Sequence, residues 1–274
     1  MKIGGLSLAQ LTVLDVEPIE LISIAGELAC DHVTLFTFVP ARARGIYPQV
    51  TSEDLPALRS AMRAANVTAA NLEIFPLDGA EDWDGFARAL EVGASLGATR
   101  ATFQLHNLDR TEMPERIARF CDLAAVHGIV AGLEFNRFSA VADISSAVGI
   151  VREANRSNAA IVLDMLHLAR VGDGADKVPQ AAGMIKYVQL CDGPLEIADN
   201  LRWHEAVHER EIPGLGEFPI VEALKALDPS EIIFDAEVPL GRRREAGVSP
   251  LERARLAITG ARTVLRAAYG DDAA

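Results

Sequence analysis

The chain has 274 residues, half of them apolar, with 39 acidic against 26 basic side chains and a formal net charge of −13. That field repels phosphate backbones, which argues against nucleic acid as a partner, and the apolar runs fall far short of the ~18 residues a membrane span requires. Three widely spaced cysteines, Cys30, Cys121 and Cys191, form neither a disulfide framework nor a Cys-x-x-Cys metal motif, and "MKIGGLSLAQLTVLDVEP" makes a poor signal peptide, so a reducing, cytoplasmic compartment is expected.

Along the chain, β-prone runs return at intervals of roughly thirty residues. The first is "KIGGL" (2–6), followed by "HVTLFTF" (32–38) and a basic, aromatic loop with Arg42, Arg44 and Tyr47. Residues 52–66 place Leu55, Leu58 and Met62 on one helical stripe, and "VTAANLEIF" (67–75) follows as a strand. In 83–98, Phe86, Leu90 and Ala94 repeat at the spacing of a helix face, before "TRATFQL" (99–105). The helix predicted over 113–128 opens with Pro114 and stops at Gly128, after which "GIVAGLEF" (128–135) reads as a strand. Three more strands follow, "AAIVLDM" (159–165), "IKYVQLCD" (185–192) and "EIIFDAEV" (231–238). The final helix, 249–270, starts with Ser249, Pro250 and Glu252, a capping box with proline at the first helical position.

Several of these strands are continuous apolar runs, which favours parallel strands covered by crossover helices on the outside. Eight β/α units in this length predict a single α/β domain, a closed (β/α)8 TIM barrel over 1–270, with 271–274 as a frayed tail. The doubly wound alternative wants Gly-x-Gly-x-x-Gly after its first strand, and "GGLSLAQ" does not supply it.

In such a barrel the C-terminal strand ends meet at one mouth. The fifth strand ends in Glu134, the sixth in Asp164, the seventh offers Gln189 and the eighth Glu237. Three carboxylates in one low-dielectric mouth would push one another's pKa values up, and one divalent cation removes that cost. All-oxygen ligands favour Mn2+ or Mg2+, with Zn2+ or Co2+ as alternatives. The competing reading is structural, because strand-end carboxylates also cap helices or pair with arginine. His167 lies just beyond Asp164, and His106 follows the fourth strand, both candidates for substrate contact; His32 and His127 read as structural. The long connection 192–218, with Trp203, His204, Glu205, His208 and Arg210, reads as a lid over the mouth.

The ordered set "LEFN" (133–136), "LDMLH" (163–167), "VQLCD" (188–192), "REIPGLGEFP" (210–219) and "DAEV" (235–238) resembles the xylose-isomerase-like TIM-barrel superfamily across almost the whole chain. The resemblance implies that Glu134, Asp164, Gln189 and Glu237 bind one metal, that Glu134 and Glu237 also move protons on opposite substrate faces, and that His167 and Arg210 reach the substrate; in such a reaction a glutamate or His167 would take the proton, which makes His167 a catalytic candidate as well. It implies a metal-dependent isomerase or epimerase of a sugar, sugar phosphate or cyclitol working through an enediolate, on a small polyhydroxy carbonyl substrate. Two departures matter. Many members carry His where this chain has Gln189, and Gln there also occurs among dehydratases acting on 3-dehydroshikimate, which makes a lyase the second reading. Ketose 3-epimerases often show Glu-x-x-Asn-Arg-Phe-Glu, whereas "EFNRFS" is one residue shorter and ends in Ser139. The superfamily's nuclease branch needs a His-rich zinc cluster that six histidines do not suggest. Apolar outer helices leave room for a homo-oligomer.

Overall fold

The computed structural model describes residues 2–271; the predicted frayed tail therefore lies, but for Asp271, outside the described residues. Eight strands occur: β1 (Gly5–Ala9), β2 (His32–Phe36), β3 (Thr68–Leu77), β4 (Arg100–Leu105), β5 (Val130–Glu134), β6 (Ala159–Asp164), β7 (Ile185–Leu190) and β8 (Ile233–Ala236). All neighbours are parallel and in sequence order, and β1 pairs with β8 through Gly5↔Ile233 and Ser7↔Asp235, so the sheet closes into one barrel. The helices are α1 (Pro18–Glu27), α2 (Leu55–Ala65), α3 (Trp83–Ala94), α4 (Met113–Ala125), α5 (Ile144–Ala154), α6 (Met165–Arg170), α7 (Arg202–His208), α8 (Ile220–Lys225), α9 (Gly241–Glu245) and α10 (Pro250–Tyr269).

Period-2 alternation explains how the strands serve two environments at once. Leu8, Leu35, Leu72, Phe103, Leu133, Leu163, Val188 and Phe234, one per strand, are fully buried in the apolar layer between barrel and helices. Each such side chain contributes about 1.5–3 kcal/mol on leaving water. Phe75, Phe86, Phe103 and Phe120 extend that layer, with ring centroids 5.0–5.9 Å apart. The alternate residues point into the barrel, where space is tight: a Cβ on Gly132 would lie 2.6 Å from Val162 Cγ2. Low in the lumen, the Thr34 hydroxyl donates to Asp235 Oδ2 at 3.1 Å and shares a hydrogen bond with the Tyr187 hydroxyl.

The predicted helix punctuation holds where side chains can supply it. Ser249 Oγ accepts from Glu252 N at 3.3 Å with Pro250 opening α10, and Gly128 takes φ +69° behind α4. β1 runs Gly5–Ala9, displaced from the predicted 2–6, because its inward Ser7 joins the polar lumen and hides the strand from a search for apolar runs. The three thiols are free and buried.

Candidate metal centre

One step further along each strand, the inward positions of β3 to β8 turn polar. Glu73, Gln104, Glu134, Asp164, Gln189 and Glu237 converge at the C-terminal mouth, and five of the six are buried, Gln104 partly so. Glu134 accepts from Gln104 Nε2, whose Oε1 lies 3.1 Å from His106 Nε2. Across the lumen, Gln189 Nε2 donates to Glu73 Oε1 at 2.9 Å and to Glu237 Oε1 at 3.1 Å.

Arg210 enters this ring from the connection after β7. Its Nη1 lies 3.0 Å from Asp164 Oδ2 and 2.8 Å from Glu237 Oε2, with only 3% of the side chain exposed. Asp164 meanwhile opens α6, its Oδ1 accepting from Leu166 N at 2.7 Å. Helix capping and arginine pairing are thus both present at Asp164, and the carboxylates are not unpaired as the bare strand ends suggest.

The charges nevertheless do not balance. Burial pushes Glu73 and Glu237 well above the usual carboxylate range, and the neighbouring acids add to the shift; Glu134 rises as well, burial outweighing the pull of His167. Burial acts on Asp164 in the same direction, but Arg210 and His167 outweigh it and hold that carboxyl low. Among the described residues, the Arg210 guanidinium faces four buried acids, Glu73, Glu134, Asp164 and Glu237. Among the described residues, Gln189 Oε1 and His167 Nδ1 are buried without a hydrogen-bond partner. A cation fits such a place: it takes the surplus negative charge and gives the amide oxygen a partner.

Glu134, Asp164 and His167 each bring one ligand atom to within 4.8 Å of the others. His167 stands in that trio, its Nε2 3.7 Å from Asp164 Oδ2, while Glu237 is taken up by Arg210 and Gln189. Of the four residues expected as ligands, Asp164, Glu237 and Gln189 are linked through Arg210 and the Gln189 amide, whereas Glu134 is tied to Gln104 and stands beside Asp164 and His167, the last a further donor. Tyr47 packs against Phe36 with ring centroids 5.0 Å apart and planes tilted by 49°, and burial and then the Glu237 charge push its hydroxyl's pKa up. Arg44 instead lines a separate cavity of about 390 Å³ with Phe38, Val50 and Leu55, and the Arg42 side chain lies outside what is described. His32 sits at the start of β2, its Nδ1 2.8 Å from Thr68 Oγ1, away from the mouth.

The connection after β7 is built rather than loose. Asp192 accepts from Gly193, Gly214 and Phe218 backbone N–H groups at 2.8–2.9 Å, shaping the "PGLGEFP" turn. Gly214 has φ +87°, and a Cβ at Gly216 would fall 2.3 Å from Asp192 Oδ1, so both glycines are required. Arg170 at the end of α6 grips Glu205 of α7 through two bonds of 2.7 and 2.6 Å, and donates to the carbonyls of Pro194 and Leu195. Arg210 is in turn held by the Ala206 carbonyl at 2.9 and 3.1 Å.

Glu73 and Gln104 are the members that the sequence reading passes over. The signal is present in "NLEIF" and "TFQLH", where polar residues alternate with apolar ones, but a search for acids at the ends of the later strands does not reach them.

The family model described as "Xylose isomerase-like TIM barrel" matches residues 22–258. The chain belongs to that family. No curated protein matches it in sequence. Solved structures similar to this xylose isomerase-like barrel include the IolI protein with a bound zinc atom, 18% identical with a TM-score of 0.76, covering 96% of this chain and 98% of that one. D-allulose 3-epimerase from Methylomonas sp. is 17% identical with a TM-score of 0.72, covering 97% and 99%. The probable 3-DHS dehydratase AsbF of Bacillus anthracis is 13% identical with a TM-score of 0.71, covering 94% and 98%. At such identities the shared property is the fold, and its neighbours include both epimerases and a dehydratase.

Proposed function

We propose that this xylose isomerase-like barrel is a divalent-metal-dependent isomerase or epimerase of a sugar, sugar phosphate or cyclitol. The observation that carries the reading is the convergence of Glu134, Asp164, Gln189 and Glu237 at the buried barrel mouth, with buried acids in excess of Arg210 and a Gln189 oxygen left without a partner among the described residues. These four side chains would hold the ion, with Mn2+ or Mg2+ favoured over Zn2+ or Co2+ by their oxygen donors. When bound, a divalent ion supplies Lewis acidity toward the substrate carbonyl.

The chain's own groups handle the proton. Glu237 and Glu134 come from strands on different sides of the mouth and can each face one side of a bound carbon acid. One, ionised, takes the proton next to the carbonyl and keeps it, and the other, starting protonated, delivers its own proton to the opposite face, which inverts that centre and leaves the two protonation states exchanged. Return to the neighbouring carbon would isomerise the substrate instead. Their raised pKa values suit the task, since a base poised nearer neutrality both accepts and releases a proton. His167, buried with Nδ1 free of any partner among the described residues, would orient a substrate hydroxyl. His106, tied to Glu134 through Gln104, would hold that glutamate's orientation and touch substrate from the β4 side. Arg210 would reach the same substrate between Asp164 and Glu237. A small polyhydroxy carbonyl compound is the partner this site suits.

Gln189 in place of a histidine, together with Ser139, favours one second reading, a dehydratase acting on a cyclic hydroxy-ketone. Proton removal is then followed by departure of a β-hydroxyl as water, with His167 as the acid. Metal-loaded protein in D2O with a panel of ketoses, inososes and 3-dehydroshikimate separates the two by NMR. Deuterium entering recovered substrate and its epimer supports the first, and a growing catechol or enone absorbance supports the second. Protein that binds no divalent ion, or turns over equally well when stripped of it, would overturn both.

A further inference from the structure

Gln189 is a side chain that must choose an end. Its carbonyl oxygen can hold a cation and its NH2 group cannot, yet the two ends have nearly the same shape. We propose that Glu73 makes this choice: it is a positioning residue that fixes the Gln189 amide with its oxygen toward the metal. The inference rests on the reading that Gln189 is a metal ligand.

The contact that sets the orientation spans the barrel. β3 and β7 are not neighbours in the sheet, so Glu73 and Gln189 meet only across the lumen. Gln189 Nε2 uses both its protons, one on Glu73 Oε1 at 2.9 Å and one on Glu237 Oε1 at 3.1 Å. Turning the amide over would lose both bonds and set its oxygen against two carboxyl oxygens. Of the two acceptors, Glu237 is the less dependable anchor, since it is shared with Arg210 and would itself be drawn to an ion. Glu73 has no such second duty. Asn71, two residues back on the same strand, donates to Glu73 Oε1 at 3.3 Å, and Asn71 is locked to Thr102 by reciprocal bonds of 2.9 and 3.1 Å. A chain of fixed partners thus runs from β4 through β3 to the amide, and ends at Gln189 Oε1, the atom that is buried and has no partner among the described residues.

The test is a double-mutant cycle read as Mn2+ affinity of metal-stripped protein, by calorimetry or by the EPR signal of free Mn2+. Glu73→Ala and Gln189→Ala are each expected to raise the Mn2+ dissociation constant about tenfold to a hundredfold. The double variant should bind no worse than about twofold below Gln189→Ala, because Glu73 then has no amide to orient. A general structural role would weaken binding in both backgrounds. Glu73→Gln keeps the volume and carries the test should Glu73→Ala fail to fold; its own NH2 group can satisfy an inverted Gln189, so it too should weaken binding. Wild-type affinity in the Glu73 variants, or losses that multiply in the double variant, would overturn the proposal while leaving the metal reading standing. Wild-type protein that takes up no Mn2+ would overturn both.

Discussion

Asp164 does three jobs with two oxygens. Oδ1 caps α6, while Oδ2 faces Arg210 and lies 3.7 Å from His167 Nε2. A carboxylate has lone pairs to spare for this, which is why a helix cap and a candidate ligand can be the same residue. Arg210 is more exclusively committed. With its guanidinium removed, Asp164 and Glu237 become buried neighbours without a counter-charge, a loss of about 3–5 kcal/mol for a pair so well shielded from water. Arg210→Ala is therefore expected to lower stability by that order in protein treated with chelator. Saturating Mn2+ should recover a substantial part, because a divalent ion supplies positive charge to the same acids. Urea unfolding with and without the ion measures both quantities. Equal destabilisation in the two conditions would show that the arginine and the ion do not share this charge role.

At the scale of elements, the connection between β7 and α8 decides where Arg210 sits. The Arg170–Glu205 pair fastens α7 to α6 from within, each side chain 4% exposed, with Arg170 also lying 5.0 Å from the Phe218 ring centroid. Breaking one side of it, by Arg170→Ala or Glu205→Ala, should cost about 3–5 kcal/mol, and the double variant should cost less than the sum of the two. Catalytic efficiency should fall in all three, since Arg210 hangs from the Ala206 carbonyl of the same helix. An activity unchanged in the folded variants would mean that Arg210 is held by its acid partners alone. This anchoring was not legible in the sequence, where the segment reads as a lid because nothing in a linear pattern tells that Glu205 will meet Arg170. The strands were legible because Val-, Ile- and Leu-rich runs covered on their outer side carry a strong local signal. Helix α5 was not, since "ISSAVGIVREA" is rich in β-branched residues that suit a strand equally well. The four strand-end residues at β5 to β8 could be picked out by topology alone; Glu73 could not, because its significance arises only from a partner on the far side of the lumen.

For the whole molecule, the acid surplus is both general and local: a net charge of −13, and a mouth where Glu73, Glu134 and Glu237 are all pushed up by burial. Beneath them burial raises Asp235 to about 6 despite hydrogen bonds from Ser7, Tyr187 and Thr34. In the unfolded chain these carboxyls ionise near pH 4. Between roughly pH 4 and the raised folded values, the folded protein keeps protons that the unfolded chain releases, so raising the pH through that window favours unfolding. Asp164 shifts the other way, and its contribution is already complete at the lower edge of the window. Metal-free protein is thus expected to lose thermal stability as the pH rises above about 5. A divalent ion binds the deprotonated carboxylates, so its affinity grows over the same range, and at a hundredfold excess over its dissociation constant it adds ~2.7 kcal/mol. Melting curves with Mn2+ should accordingly be displaced upward most at the alkaline end. Surface repulsion from the net charge would also tilt the metal-free profile, so Glu237→Gln separates the causes: it removes one buried acid and leaves the surface untouched. A flatter pH profile in that variant locates the effect at the mouth, whereas an unchanged slope would assign it to the surface and remove the electrostatic case for a cation among these four side chains.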